Sequence, residues 1–280
     1  MRILITGGKG MLGRTLQREL AAHELFIADL PEVDMLEKES LARAFAGFRP
    51  EAVVHCAAMT KVDDCEGRRE LAFRLNETGT ANVAAACREH GARLIAISTD
   101  YVFAGDGEAA YAESDEPAPR TVYGASKLAG ERAALAALPD AVVLRIAWLY
   151  GAGGPSFIHT MAKLGAQEGE ALKVVDDQRG NPTSTVVVAG VIRFLLAHPE
   201  IHGVVHGTCE GECSWYELAR EIFARLGLKR EVVPCTTAEF PRPAPRPANS
   251  ALAKTVLAAH GYHTPDWRLA LSEFLAVEFG

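Results

Sequence analysis

The sequence predicts an α/β protein built on a doubly wound parallel sheet, and three observations carry that prediction. Short apolar or β-branched runs alternate with longer amphipathic runs as far as residue 150. The short runs are nearly continuous in apolar residues, as in strands that helices cover on both faces. A glycine-rich turn directly follows the first run and opens the first amphipathic one. Together these features indicate a Rossmann-type fold.

The predicted strands and helices alternate along the chain, as this fold requires. Strands are predicted over 2–6, 25–29, 52–56, 93–98 and 141–146, and helices over 11–22, 39–47, about 69–90 and from Tyr123 onward. In the 69–90 helix, apolar residues recur at Leu71, Leu75, Val83 and Cys87. Their spacing fits a single continuous helix with one apolar side. We expect the turn at 6–13 to lie at the centre of a parallel sheet.

The chain changes character after Gly151, where glycine and proline become more frequent. Isolated strands are predicted over 172–175 and 203–207, and helices near 156–168, 185–197, 214–226 and after Pro265. In the 214–226 helix, Trp215 and the leucines after it read most simply as a buried side. We therefore predict a dinucleotide-binding region over 1–150 and a smaller, loop-rich α/β region over 151–280 that binds substrate. Segments of the two regions can interleave.

Composition narrows the function classes. The chain has 280 residues, 49% of them hydrophobic, and a formal net charge of −7 with acidic and basic residues mixed. No basic stripe is present, so we expect no nucleic-acid partner. Apolar runs fall short of the ~20 residues that span a bilayer, and the chain opens on a strand-like segment instead of a leader. Six scattered cysteines are typical of reduced thiols, which predicts a cytoplasmic protein without a membrane partner.

The glycine-rich turn, TGGKGMLG at 6–13, predicts dinucleotide binding. Two registers fit: Gly8, Gly10 and Gly13 give G-x-G-x-x-G, whereas Gly7 replaces Gly8 in G-x-x-G-x-x-G. In both, absent side chains let the backbone approach a pyrophosphate at the helix N-terminus. Asp29, at the end of the second strand, could accept hydrogen bonds from an adenosine ribose, which favours NADH. Lys9 could instead meet the 2′-phosphate of NADPH, so the choice between NADPH and NADH stays open.

A tyrosine and a lysine share one face of the helix that starts near residue 122. Tyr123 and Lys127 lie four residues apart with only Gly, Ala and Ser between them. Thr99 closes the polar end of the preceding strand. Tyr123 could donate a proton to a ketone oxygen as hydride reaches the carbon, and Thr99 could donate a hydrogen bond to the same oxygen. A nearby ammonium and a cationic nicotinamide are expected to favour the phenolate and so lower the pKa of the phenol.

These residues give the chain a resemblance to the extended short-chain dehydrogenase/reductases that act on nucleotide-sugars. The narrower resemblance is to the dTDP-4-dehydrorhamnose reductases, and it extends along nearly the whole chain. It rests on the order and spacing of six segments: AAMTKVDDCE (57–66), STDYVFAG (98–105), VYGASKLAGE (122–131), AWLYG (147–151), DDQRGNPT (176–183) and RPANS (246–250). Lys61 departs from the small residue typical of that family, which leaves the exact sugar open.

The resemblance implies reduction of the C4 ketone of dTDP-4-dehydro-β-L-rhamnose by NADPH or NADH, the last step of dTDP-rhamnose biosynthesis for cell-surface polysaccharide. It makes Tyr123 the proton donor, with Lys127 and Thr99 completing the catalytic set. The cofactor-binding residues it implies are Gly7, Gly10, Met11, Leu12, Gly13, Asp29, Asp34, Met35, Ala58, Met59 and Thr60, together with Tyr123 and Lys127. The substrate-binding residues it implies are Thr60, Val62, Thr99, Asp100, Tyr101, Trp148, Gln178, Pro182, Thr183, Arg246 and Asn249. A dTDP-sugar is then the small-molecule partner, and a homodimer is left open.

Other functions remain as alternatives. The chain could be a reductase or epimerase for another nucleotide-sugar, or a non-catalytic regulatory subunit resembling that of methionine adenosyltransferase. A nucleotide-sugar 4,6-dehydratase is disfavoured, because Tyr101 stands where such enzymes carry a glutamate. No metal site is expected. His198, His202 and His206 are interrupted by Pro and Gly, and Cys209 and Cys213 have no second pair to complete four ligands.

Overall fold

The computed structural model describes all 280 residues and contains twelve strands. They are β1 (Arg2–Thr6), β2 (Glu24–Ala28), β3 (Ala52–His55), β4 (Arg93–Thr99), β5 (Val142–Ile146), β6 (Leu149–Tyr150), β7 (Leu172–Val175), β8 (Arg179–Gly180), β9 (Thr183–Ser184), β10 (Gly203–His206), β11 (Cys213–Ser214) and β12 (Val232–Cys235). Six of them form one sheet in the order β10-β5-β4-β3-β1-β2, and every pair in it is parallel. The predicted doubly wound fold is therefore confirmed, although β1 lies next to the edge strand β2 and not at the centre.

Eleven α-helices accompany the strands. They are α1 (Met11–Glu19), α2 (Lys38–Phe48), α3 (Val62–Gly67), α4 (Arg69–Phe73), α5 (Thr80–His90), α6 (Val122–Ala137), α7 (Phe157–Gly165), α8 (Thr185–Ala197), α9 (Trp215–Leu226), α10 (Thr255–Ala259) and α11 (Trp267–Glu278). None of them is long and apolar enough to cross a membrane.

Helices cover both faces of the large sheet because successive side chains of a strand point to opposite sides. Ile3 and Ile5 belong to a core that includes the buried faces of α1 and α8. Leu4, between them, belongs to a second core with Phe45 of α2 and Val83 of α5. The near-continuous apolar runs of the sequence are thus explained by burial on both faces.

The region after residue 150 divides between two cores. Its strand β10 pairs with β5, and α8 packs on the large sheet, so 185–206 interleave with the first region. The rest forms its own core around the parallel pair β7 and β12, with buried residues from α7, α9 and α11. This smaller unit stands beside the carboxyl ends of the sheet strands.

The helix expected over 69–90 is not continuous. A π-helical turn, Arg74–Gly79, joins α4 to α5. The apolar positions Leu71, Leu75, Val83 and Cys87 are separated by four residues or a multiple of four, whereas an α-helix has 3.6 per turn. Such a repeat drifts by about 40° at each step. In the structure Leu71 and Leu75 are only half-buried, and the buried positions include Ala72 and Asn76 before and within the π turn and Val83 and Cys87 after it.

Candidate active site

A cavity of about 590 Å³ opens at the carboxyl ends of the large sheet. The chain runs from β1 to its neighbour β2 and then returns across β1 to β3. The ends of β1 and β3 therefore lie at the point where the strand order reverses, which is where open α/β sheets bind ligands. All but one of the predicted cofactor-binding residues line this cavity. They are Gly7, Gly10, Met11, Leu12, Gly13, Asp29, Asp34, Met35, Ala58, Thr60, Tyr123 and Lys127.

The glycine turn has the geometry of a dinucleotide cradle, in the register of Gly7, Gly10 and Gly13. Gly7 has φ +65°, and a Cβ there would lie 2.7 Å from the backbone nitrogen of Ala57. A Cβ on Gly13 would lie 2.5 Å from the carbonyl oxygen of Gly7. Gly10 precedes α1 without any side-chain cap, so the first amides of α1 keep free donors. These residues fit a pyrophosphate.

The adenosine end of the cavity carries both signs of charge. The Asp29 carboxylate accepts hydrogen bonds from the backbone amides of Lys9 and Leu30, both at 2.9 Å. The Lys9 ammonium contacts the carbonyl oxygen of Leu30 and lies 3.3 Å from a Glu32 carboxylate oxygen. Asp29 therefore shapes the loop as well as lining the cavity, whereas Lys9 and Glu32 pair with each other outside the lining.

The three predicted catalytic residues meet in the wall of the same cavity. Thr121 caps α6 by accepting a hydrogen bond from the Gly124 amide, so Tyr123 and Lys127 fall on its first two turns. Thr99 is the last residue of β4. All three are buried, at no more than 9% exposure.

Burial is the largest influence on the pKa values of Tyr123 and Lys127. It lowers the pKa of Lys127 to about 8, against the opposing attraction of the Glu131 carboxylate. Burial raises the pKa of Tyr123, and the Thr99 hydroxyl only partly opposes it. The Lys127 ammonium donates to the Ile97 carbonyl at 2.7 Å. In the protein by itself, desolvation of the phenol sets the direction of its pKa, and the lowering expected from the ammonium together with a cationic nicotinamide stays a prediction.

A buried ion pair supports the lysine from behind. Arg145 of β5 donates twice to Glu131 of α6, at 3.0 and 2.7 Å, and both side chains are almost fully buried. The Ser98 hydroxyl also donates to Glu131. Since Lys127 and Glu131 lie one turn apart on α6, this pair fixes a negative charge next to the ammonium.

Asn76, in the π-helical turn, is a site-building residue that the sequence reading missed. Its side-chain oxygen accepts from the Met59 amide at 2.8 Å, and its nitrogen donates to the Met59 carbonyl at 3.1 Å. The same nitrogen donates to the Ser126 hydroxyl at 2.9 Å. Asn76 thus ties the loop after β3 to α6. Met59, the one predicted cofactor residue outside the cavity lining, is held by these bonds.

A second cavity of about 510 Å³ adjoins the first, and Asp100, Tyr101 and Trp148 line both. Thr60, Val62 and Thr99 line the first cavity, and Gln178 and Arg246 line the second. Pro182, Thr183 and Asn249 line neither. Thr183 is fully buried and accepts from the Cys209 amide, and the Asn249 amide donates to the carbonyls of Gly107 and Ala109.

The second cavity also contains groups that the sequence reading missed. Trp215 is its largest, and its ring stacks on that of Trp148 with centroids 3.5 Å apart and planes 2° apart. Trp215 is half-buried and packs against the same core as Leu218 and Ile222, as predicted, but its ring also lines the cavity, which the sequence did not indicate. Lys173 and Arg242 add positive charge to the lining.

The histidines and cysteines set aside in the sequence reading occupy ordinary structural positions. His198 and His206 each hydrogen-bond a backbone carbonyl, and all six cysteines are free thiols. No group of three or more His, Cys, Asp or Glu side chains is arranged to hold a metal ion.

The chain is similar over nearly its whole length to a known protein family. A family model described as "RmlD substrate binding domain" matches residues 1–278. The chain is 46% identical over 98% of its length to a Streptomyces antibioticus protein named "Probable dTDP-4,6-dihydroxy-2-methyloxan-3-one 4-ketoreductase", of which the match covers 94%. It is 43% identical to the dTDP-4-dehydrorhamnose reductase of Streptomyces griseus, over 97% of this chain and 92% of that one.

Solved structures of dTDP-4-dehydrorhamnose reductases have the same fold as this chain. The dTDP-4-dehydrorhamnose reductase of Clostridium acetobutylicum superposes with a TM-score of 0.96 at 41% identity, over 99% of both chains. That of Bacillus anthracis, solved in complex with NADP, gives 0.95 at 38% identity, again over 99% of both. The chain therefore belongs to the RmlD substrate binding domain family, the family of the dTDP-4-dehydrorhamnose reductases.

Proposed function

We propose that this protein reduces the C4 ketone of dTDP-4-dehydro-β-L-rhamnose to give dTDP-L-rhamnose, with NADPH or NADH as reductant. The observation that carries the proposal is the meeting of Tyr123, Lys127 and Thr99 in one cavity with the glycine cradle. Relatives of 43% and 41% identity that are named for this activity support it. The product is an activated sugar for polysaccharide biosynthesis.

The residues around the reacting carbon have separate roles. The reduced nicotinamide supplies the hydride. Tyr123 holds the proton that the C4 oxygen takes up, and its raised pKa keeps the phenol protonated at neutral pH. Lys127 places a positive charge beneath the site where negative charge develops, and Thr99 offers a hydroxyl to the same oxygen. Burial of the three groups strengthens each of these interactions.

The second cavity suits the nucleotide half of the substrate. Lys173, Arg242 and Arg246 bring three cations to its lining in a chain whose net charge is −7. Arg246 is held by the Asp63 carboxylate at 2.7 Å and by the Ala244 carbonyl at 3.0 Å, which fix its guanidinium in the cavity wall. A diphosphate would be attracted there, and the sugar would lie at the junction by Asp100, Tyr101 and Trp148.

Another dTDP-4-keto-6-deoxysugar is the second candidate substrate. The Streptomyces antibioticus relative is named for a different 4-ketoreductase, and a Streptomyces niveus relative, 42% identical over 229 residues, is named "dTDP-4-keto-6-deoxy-D-glucose reductase". Lys61, beside the substrate loop, is exposed and is the residue to test for this choice. An epimerase would regenerate its cofactor, and a non-catalytic subunit would consume none.

The two regions of the chain would bind different ligands. Residues 1–150 would hold the dinucleotide and 151–280 the nucleotide-sugar, apart from the interleaved α8 and β10. We propose a cytoplasmic enzyme, which its six free thiols support, with no nucleic-acid or membrane partner. Sedimentation at assay concentration would decide between monomer and homodimer.

The test is incubation of the pure protein with NADPH or NADH and a panel of dTDP-4-keto sugars. Nicotinamide absorbance reports turnover, and NMR identifies the product. We expect stoichiometric cofactor consumption with dTDP-4-dehydro-β-L-rhamnose and formation of the L-rhamnose product. Tyr216→Phe, a phenol outside both cavities, serves as the matched control for Tyr123→Phe. Absence of net NAD(P)H oxidation with every 4-keto sugar would contradict the proposal.

A further inference from the structure

Asp100 is a buried carboxyl with fewer hydrogen-bond donors around it than an ionised carboxylate needs. It is 4% exposed and lies at the junction of the two cavities. Its Oδ1 is 2.8 Å from the Thr99 hydroxyl oxygen, while Oδ2 is buried without a hydrogen-bond partner. A buried carboxylate oxygen without a donor is costly, whereas a neutral acid needs fewer donors and supplies one itself.

The hydrogen in the 2.8 Å contact between Thr99 and Asp100 can belong to either residue, and the two arrangements leave Thr99 with different hydrogen-bonding capacity. A threonine hydroxyl has one hydrogen and two lone pairs, and one lone pair already accepts from the Tyr101 amide at 3.3 Å. If Asp100 is ionised, Thr99 donates its hydrogen to Asp100, and its free lone pair attracts the phenol hydrogen of Tyr123. If Asp100 is neutral, it donates to the second lone pair, and Thr99 can donate into the cavity.

We propose that Asp100 is a positioning residue that sets the direction of the Thr99 hydroxyl. As a carboxylic acid it donates to Thr99, which then donates to the substrate carbonyl oxygen beside Tyr123. As a carboxylate it turns both hydroxyls away from that oxygen. Asp100 keeps its proton throughout the cycle, and the transferred proton comes from Tyr123. This role rests on the proposed reduction at the same site.

The electrostatic surroundings favour the neutral acid. Burial raises the pKa of Asp100 to about 6, against the opposing influence of the nearby Ser250 and Thr99 hydroxyls and of the backbone amides of Asp100 and Tyr101. The Ser250 hydroxyl donates to the Arg179 carbonyl at 3.3 Å, so it leaves Oδ2 without a donor. The titratable and charged groups that share its surroundings are Tyr101 on its own turn, Tyr123 and Lys127 on α6, and the Arg246–Asp63 ion pair further out. A bound diphosphate sugar would exclude water and add negative charge, and both raise that pKa further.

The decisive experiment compares kcat across pH 5.5 to 7.5 for the wild type and Asp100→Asn. The amide of asparagine can donate to Thr99 at every pH. Wild-type kcat should fall above the pKa of Asp100, by up to about tenfold per pH unit, whereas the variant should show no such limb. Lys127, whose pKa is about 8, begins to lose its proton only near the top of this range, and it does so in the wild type and the variant alike. The exposed Asp106→Asn, on the same loop, is the matched control.

A double-mutant cycle with Thr99→Val separates this role from direct contact with the sugar. Since Asp100 acts through Thr99, Asp100→Asn should change kcat by less than about twofold in the Thr99→Val background. Any effect of Asp100→Asn on KM for the sugar should be the same in both backgrounds, whereas its effect on kcat should appear only when Thr99 is present. An equal loss of kcat in both backgrounds, or a pH profile unchanged by Asp100→Asn, would overturn the proposal.

Unfolding measurements supply a readout that does not need turnover. Because the folded-state pKa of Asp100 is raised, the stability that this group contributes is lost as pH rises from about 4 through 6. Asp100→Asn should therefore unfold at a higher temperature than the wild type at pH 8, and the gap should close toward pH 4. If the wild type reduces no 4-keto sugar, the proposed function fails. An absent gap at pH 8 would refute the buried acid itself.

Discussion

Replacing Lys127 by methionine should stabilise the fold while it removes a group that the reaction needs. Burial lowers the pKa of this lysine from 10.5 to about 8. A difference of two and a half pKa units corresponds to about 3 kcal/mol. Below pH 8 the ammonium is charged in both the folded and the unfolded chain, so the folded state carries that whole cost. Methionine avoids it but leaves the Ile97 carbonyl without its donor, which costs about 1 kcal/mol.

The net gain should therefore be about 2 kcal/mol at pH 7. Between pH 8 and 10.5 the folded wild type releases its proton while the unfolded chain keeps it, so wild-type stability rises and the gap closes. Urea unfolding at pH 6, 7, 9 and 10 measures this, with the exposed Lys38→Met on α2 as control. A variant less stable than the wild type at pH 7, or a gap independent of pH, would refute the reasoning.

Three further substitutions test other parts of the site. Tyr123→Phe should slow single-turnover hydride transfer by about 10²–10⁴-fold with NADPH affinity unchanged, because only the proton is lost; near-wild-type rates would remove Tyr123 from the mechanism. Glu131→Gln should lower the free energy of unfolding by about 3–5 kcal/mol in urea, since the Arg145 guanidinium stays buried without its counter-charge; a loss below 1 kcal/mol would contradict this. Lys9→Ala should reduce kcat/KM for NADPH by about two- to fivefold and leave that for NADH nearly unchanged, as expected for an exposed charge. Equal effects on both cofactors would show that Lys9 does not meet the 2′-phosphate.

Features that depend on local spacing could be predicted from the sequence. The strands were visible because burial on both faces demands continuous apolar runs. Tyr123 and Lys127 could be paired because four residues make just over one helical turn. The glycine turn could be placed because it joins a strand to a helix, although only the structure shows that Gly7 carries the positive φ.

Features that depend on distant contacts could not. Asn76 bonds to Ser126, 50 residues away, and nothing local distinguishes it from any polar residue in a helix. The four-residue apolar repeat around it predicts one continuous helix, and its departure from the 3.6-residue period does not single out Asn76. Likewise, the ion pair of Arg246 and Asp63 joins positions 183 apart. The direction of the Tyr123 pKa in the protein alone could not be predicted either, because spacing reveals proximity but not desolvation.

The stacked tryptophans give the protein an optical property that follows directly from their geometry. The chain has three tryptophans, and Trp267 is buried in the core of the smaller region. The other two, Trp148 and Trp215, lie face to face at 3.5 Å in the wall of the second cavity. At that separation their electronic transitions couple, so the near-ultraviolet circular dichroism spectrum should carry a signal from this pair. A nucleotide that enters the cavity would disturb the coupling. Binding could then be followed on the unlabelled protein, without turnover and without a coloured cofactor.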